Sequence, residues 1–391
     1  MLKNHYLKEW SKIVSSHFPN LSLPEIAGLV TWSFGMVMTG SSSLTRVSEL
    51  IAKINGESIN TVRRRLKEWY LNSESKKGKK RRELNVSKCF APLLSWVLSL
   101  WKSEEKWLPL AIDATYVGQN FTVLSVHVLD QGCGIPVAWK IVKGTEKGSW
   151  KPLWIELFQS LQDVVPNDWQ VIVSADRGLY ADWLFSEICA LNWHPFLRIN
   201  HHYRNDQIRG EKEWRCLEQV VQNTGMRWSG NVTCFKSNPL DCTLLARWDE
   251  GYQDPWLIVT DLEPEQANAL WYGLRSWIES SYRDLKSDGW QWHKTRLREP
   301  ARAERIWLAM AVATLWTITM GSEQKKLLPE TLKEEITDDD NLGQKSALKK
   351  VNRSISCFLQ GLINIVANLI CGKGIHLNDL YPQPSYVLNT S

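Results

Sequence analysis

The sequence predicts an α/β protein: a mixed β-sheet in the order βββαβαβ, followed by a helix, with a β-rich insertion and all-helical N- and C-terminal regions. Three features predict it. Strand-like apolar runs after Trp107 are first joined by tight turns and then by helix-length amphipathic stretches, the pattern of a meander that passes into crossover connections. The first hundred residues show helical periodicity and few period-two alternations. Residues 201–256 are polar with short alternating runs such as 243–247, which breaks the α/β rhythm and reads as an insertion.

The elements follow in order. Residues 108–116 form an apolar run around a single acid, Asp113, and Gly118-Gln119-Asn120 turns the chain into a second run at 121–129. Gln131-Gly132-Cys133-Gly134 turns it again into 135–142, so three antiparallel strands are expected. A helix capped by Ser149 runs through Trp154, Leu157 and Leu161. The strand 169–174 ends on Ala175-Asp176-Arg177-Gly178, followed by a helix at 180–191 and a strand at 195–199. Beyond the insertion come a strand at 256–260, helices at 264–288 and 301–319, a charged loop at 321–347 and a helix at 351–370.

Composition narrows the function classes. With 43% hydrophobic and 23% charged residues the 391-residue chain can bury a core, and its length suggests two or three domains at roughly 100–200 residues each. The longest uncharged apolar stretches, 306–321 and 357–372, are shorter than the roughly 20 residues a bilayer span needs, and residues 1–30 lack a signal-peptide pattern. The eight cysteines include no C-x-x-C pair and no zinc-like spacing, so they read as buried free thiols in a reducing, cytoplasmic setting. His201-His202 has no further ligands at metal spacing and reads as a surface loop.

Net charge is +5 but uneven: residues 1–106 carry 18 Lys/Arg against 9 Asp/Glu. Such a basic arm points to a polyanion, with nucleic acid the first candidate. Residues 43–54 and 58–70 read as two helices around the turn Asn55-Gly56-Glu57, and the second carries Arg63, Arg64 and Arg65. That pair fits a helix-turn-helix with its second helix in a DNA groove, or an ordinary hairpin with a solvated basic face. The run Lys76-Lys77-Gly78-Lys79-Lys80-Arg81-Arg82 fits a linker with salt-sensitive, sequence-blind phosphate affinity, or a solubilising loop.

The segment around Glu279 carries the chemistry. On an ideal helix with Tyr272 at zero, Arg275, Glu279, Arg283 and Lys286 fall at roughly 300°, 340°, 20° and 320°, while Trp271, Leu274, Trp277, Ile278 and Leu285 occupy the opposite side. Alone, this is an amphipathic helix with a Glu279–Arg283 pair. Asp113 and Asp176 sit on strands that this order can make neighbours, and a helix docked there brings Glu279 beside them. Three close carboxylates repel unless cations offset them, and hard Mg²⁺ or Mn²⁺ prefers such oxygen donors. Two ions suit in-line phosphoryl transfer.

At these residues the sequence resembles DDE transposases of the insertion-sequence-four type. Tyr272-x₂-Arg275-x₃-Glu279-x₆-Lys286 matches that group's Tyr-Arg-Glu-Lys signature, and Ala111-Ile112-Asp113-Ala114-Thr115 and Ser174-Ala175-Asp176-Arg177-Gly178 are similar to the segments around its catalytic aspartates. The resemblance implies an RNase H-like catalytic domain and metal-dependent DNA cleavage with strand transfer through a hairpin. It further implies transposon-end and target DNA as partners and a homodimer at synapsis. Asp113, Asp176 and Glu279 are expected to hold two Mg²⁺ (or Mn²⁺) ions.

Arg275 and Lys286 are expected on flanking phosphates and Tyr272 on a nearby one, with Arg283 assisting; about 21 Å of helix axis separates Tyr272 from Lys286, so they serve different phosphates. Arg177 either touches DNA or makes a structural ion pair. Trp256 either packs in the core or stacks on a flipped base, as a tryptophan of the family's insertion does; Trp214, Trp228 and Trp248 are lesser candidates. The expected partition is 1–106, a basic helical DNA-binding domain; 107–200, the catalytic domain's first part; 201–256, the insertion; 257–321, its second part; and 322–391, a charged loop and helical region. Two other functions fit the same residues: an RNase H-like nuclease without strand transfer, and a catalytically silent DNA-binding derivative.

Overall fold

The computed structural model describes residues 2–77, 81–102, 106–118, 120–146, 148–200, 207–209, 213–327 and 355–382. The N-terminal region is helical as expected: α1 (His5–His17), α2 (Leu23–Thr39), α3 (Leu44–Asn55), α4 (Ile59–Tyr70) and α5 (Phe90–Leu100). Local signals set the α3–α4 hairpin. Ser43 and Ser58 cap the two helices with their side chains, and Gly56 takes the left-handed conformation that ends α3. The helix α2 is buried along most of its length, with Trp32, Phe34 and Met36 in the core.

The strands β1 (Trp107–Val117), β2 (Phe121–Asp130) and β3 (Cys133–Lys143) form the expected antiparallel meander, turning at Gly118 and at Gln131-Gly132, all with positive φ. Every residue of β2 is buried, so this strand is covered on both faces. The chain continues through α6 (Lys151–Gln159), β4 (Gln170–Ala175), α7 (Asp182–Ala190) and β5 (His194–Arg198). Strand β4 pairs in parallel with both β1 and β5.

The insertion is not a separate module. Its strands β6 (Gln207–Arg209), β7 (Trp214–Cys216), β8 (Arg227–Cys234) and β9 (Leu240–Arg247) extend the same sheet. They join it through β10 (Trp256–Thr260), which pairs antiparallel with both β9 and β5. The sheet has ten strands in the order β3-β2-β1-β4-β5-β10-β9-β8-β6-β7. The free edge of β5 explains this continuation: paired strands bury backbone groups that an insertion packed elsewhere would leave open.

The expected helix 264–288 is corrected. The helical stretch starts only at Ala269 and changes pitch twice: a 3₁₀ turn (Ala269–Arg275), the α-helix α8 (Ser276–Arg283) and a π-helical turn (Asp284–Asp288). The next helix, α9 (Pro300–Leu327), outruns the expected 301–319 and takes in the start of the expected loop; the rest of that loop, 328–347, lies outside the described residues. The last helix is α10 (Cys357–Ile370), and 351–354 are likewise outside them. The same holds for His201–Arg204, for Gly78-Lys79-Lys80 in the basic run and for Gln119.

Helix α9 joins the two halves. It packs on β3, α2, α4 and α10, and Trp316 stacks on Trp10 of α1 at 4.4 Å. Its buried Arg305 donates to the carbonyls of Tyr70 and Leu84 and pairs with Glu83, so a desolvated guanidinium is fully engaged where the N-terminal region meets the sheet. The cysteines are free, but Cys216 and Cys371 are exposed, against the expectation that all are buried. Among the described residues no helix is long and apolar enough to cross a membrane.

Candidate active site

The parallel register of β1 and β4 runs through Ala111–Ser174. Two residues further on, Asp113 still lies within β1 and Asp176 directly follows β4, so the two acids emerge side by side. The helix α8 packs on β1, β2 and β3 and brings Glu279 to the same place. The carboxylates meet on a single guanidinium. Arg275 Nη2 lies 3.5 Å from Asp113 Oδ2 and 3.6 Å from Asp176 Oδ2, and its Nη1 donates to Glu279 Oε1 at 2.9 Å.

The backbone orients both aspartates. Asp113 Oδ1 accepts from the Ala114 amide (2.8 Å) and Asp176 Oδ1 from the Arg177 amide (2.7 Å), which leaves each Oδ2 turned to Arg275. Burial pushes the Asp113 carboxyl above its usual range; Arg275 and the Ala114 amide oppose that shift, while Asp176 and Glu279 add to it. The side chains range from 12% exposed at Arg275 to 61% at Glu279, so the cluster opens to solvent on the helix side. The donor set is all carboxylate oxygen, which fits a hard divalent cation. As arranged around Arg275, however, no three His, Cys, Asp or Glu residues among the described ones form a group that could hold a metal ion.

Lys286 reaches the same strand. Its ammonium donates to Thr115 Oγ1, two residues along β1 from Asp113 and on the same strand face, and lies 5.6 Å from the centre of the Tyr282 ring. Burial lowers the Lys286 pKa, and the charge of Asp113 pulls it back up.

Tyr272 is not on the exposed face that an ideal helix gives it. It lies in the 3₁₀ turn that packs on β1, β4, β9 and β10, and it is buried, 4% exposed. Burial raises its phenol pKa. Trp256 opens β10, half-buried, with its ring edge-on to Tyr272 (5.3 Å) and Tyr252 (5.2 Å). Arg283 is exposed and makes one long contact, to Ser280 Oγ at 3.5 Å. Arg177 takes the structural alternative, an ion pair with Asp254 at 3.1 Å. In α4, Arg64 pairs with Glu68 and Arg65 with Glu57, while Arg63 donates to Thr45 Oγ1.

A polar chain under the site escaped the sequence reading. Tyr282 Oη donates to the Asp113 carbonyl (2.9 Å) and bonds Ser125 Oγ (2.8 Å); Ser125 bonds His127 Nε2, and His127 Nδ1 bonds Ser281 Oγ. Burial lowers the His127 pKa to about 3, which keeps the imidazole neutral. Ser281 also donates to the Gly134 carbonyl, and a Cβ at Gly134 would lie 3.0 Å from His127 and 3.1 Å from Ser281. A polar histidine in the apolar run of β2 was the one available signal.

Two strand-borne acids and a third from a docked helix define a carboxylate-centred site on a mixed α/β sheet. The family described as "Transposase DDE domain" matches residues 118–316, half of the chain, and the protein belongs to that family. The match includes Asp176 and Glu279 and starts five residues after Asp113. No curated protein sequence matches the chain. Among solved structures, a piggyBac transposase synaptic complex with hairpin DNA is similar at 10% identity and a TM-score of 0.36, covering 88% of this chain and 85% of that one. Marinitoga piezophila Argonaute with guide RNA and target DNA is similar at 13% identity and a TM-score of 0.19, covering 67% and 35%.

Proposed function

We propose that this protein is a cut-and-paste transposase of the insertion-sequence-four type, with an RNase H-like core and Asp113, Asp176 and Glu279 as its catalytic acids. The observation that carries this reading is the meeting of those three carboxylates on Arg275, from positions 63 to 166 residues apart in the chain. A cluster that needs an internal cation to stay together is suited to exchange it for Mg²⁺ or Mn²⁺ when a phosphodiester arrives.

Two bound divalent ions would supply charge stabilisation at the phosphorus and lower the pKa of the attacking oxygen. Asp113 and Asp176 offer their Oδ2 atoms from rigid strands, and Glu279 adjusts from the exposed side. Once the acids are otherwise neutralised, Arg275 is released to a flanking phosphate, and Lys286 holds another beside β1. In the first step water attacks phosphorus and the 3′ oxygen leaves with a proton. In strand transfer that 3′-hydroxyl attacks a second phosphodiester, so one ester forms as one breaks. A hairpin intermediate, a synaptic homodimer and base stacking by Trp256 complete the proposal, with transposon-end and target DNA as substrates.

The test is incubation of the full chain with labelled DNA from the ends of its own element, with Mg²⁺ and with Ca²⁺. Joined product supports the proposal; cleavage without joining assigns a nuclease; a shifted band with no chemistry assigns a silent DNA-binding protein.

A further inference from the structure

A groove of about 680 Å³ separates the α3–α4 hairpin from the segment that leaves the π turn, residues 291–297. Its walls carry Arg46, Arg63, Lys67, Lys294 and Arg296, all exposed, and no acidic residue lines it. Its floor is aromatic, including Trp292. Among the described residues none of these five cations has a carboxylate partner. The neighbouring Arg64 and Arg65, by contrast, are paired with glutamates and point elsewhere.

The groove is built, not incidental. The Ser42 amide and hydroxyl both donate to the Trp290 carbonyl at 2.8 Å, which fixes the second wall to the first. Trp290 donates to Thr314 of α9, and the edge of Trp292 packs on Trp307. The second wall is also tied to the turn that carries Lys286, because His293 Nδ1 contacts the backbone carbonyl of Lys286. Five clustered cations without acidic neighbours set a positive potential over the groove, which raises the local concentration of a polyanion there.

We propose that this groove is a phosphate track that carries the DNA duplex from the α3–α4 hairpin to Lys286 and the acidic cluster, with residues 291–297 as its second wall. The inference rests on the reading of the chain as a DNA-cutting enzyme and adds Arg46, Lys67, Lys294 and Arg296 to its DNA surface. The contacts are to backbone phosphates, so the track reads no sequence. It couples recognition by the hairpin to the position of the cut.

The test measures binding of the full chain to a fluorescein-labelled random-sequence duplex of about 30 base pairs, three turns of about 10 each, across a salt series. Removing one phosphate-binding cation lowers the slope of log K against log salt by about 0.9. Arg63→Ala/Arg296→Ala is therefore expected to lower the slope by about 1.8, and Lys67→Ala/Lys294→Ala by a similar amount. Both pairs are exposed, and an unchanged thermal midpoint checks folding for each; either pair suffices if the other misfolds. An unchanged slope in a folded pair overturns the track, as does tighter binding of single-stranded RNA than of the duplex. Asp113→Asn separates the two ideas: abolished cleavage with the parental slope supports the site, whereas a parent that binds with the predicted slope changes but cuts nothing keeps the track and ends the enzymatic reading.

Discussion

The two sources of the acidic cluster are held in different ways. Asp113 lies within β1 and Asp176 directly follows the parallel β4, so the ladder that runs through Ala111–Ser174 sets their separation and backbone amides fix one oxygen of each. Glu279, Arg275 and Lys286 ride on a stretch that passes from 3₁₀ to α to π pitch within twenty residues. Each change of pitch rotates the side chains that follow. The strand pair is thus the half of the site held by the sheet, and the helical stretch is the half whose side-chain directions are set by its two changes of pitch, consistent with π turns gathering at functional positions. Arg275 spans the two.

The largest expected effect probes both halves at once. Asp113→Ala, Asp176→Ala and Glu279→Ala are each expected to lower cleavage by roughly 10³-fold or more, the scale of losing one preorganised electrostatic group, while duplex binding in a gel-shift assay is retained. Cleavage that survives in only Glu279→Ala would place the chemistry on the strands alone. Next comes the bond between the halves. Tyr282→Phe removes the hydroxyl that joins Asp113 and Ser125, and a loss of about 1–3 kcal/mol is expected in urea unfolding; no loss would mean that the helix docks without it.

A smaller effect concerns the π turn. Burial, with Asp288 adding and Arg283 opposing, lifts the Asp284 carboxyl to about 7. Between about pH 4 and 7 the native protein keeps a proton that the unfolded chain has released, so stability is lost as pH rises through that window. Asp284→Asn is expected to raise the thermal midpoint by a few degrees at pH 8 and to leave it unchanged at pH 4; equal shifts at both would remove the titration as the cause. The smallest expected change is in Lys286→Ala, which lowers the salt slope of duplex binding by about 0.9, one phosphate's worth. A parental slope would confine Lys286 to its bond with Thr115.

The succession of strands from β1 to β5 along the chain, both turns of the meander and the α3–α4 hairpin were legible because each depends on neighbours in sequence: glycines at positive φ, serine caps and period-two apolar runs. The apolar side of the Glu279 helix was legible too, since Trp271, Leu274, Ile278 and Leu285 are buried as their spacing predicts. Tyr272 is buried instead of exposed because the strands and Trp256 cover its turn, which spacing within one helix does not reveal. The extension of the sheet through the insertion escaped notice because polar, short strands declare no partner.

The order of elements and the candidate acids were determined by the sequence itself, since local periodicity and residue chemistry act over a few positions. Only the tertiary structure decided that Arg275 faces three carboxylates, that Arg177 and Arg65 are spent on ion pairs, and that Arg63 shares a groove with Arg296. Those outcomes follow from contacts between segments far apart in the chain, where packing and charge pairing are settled by distance in space.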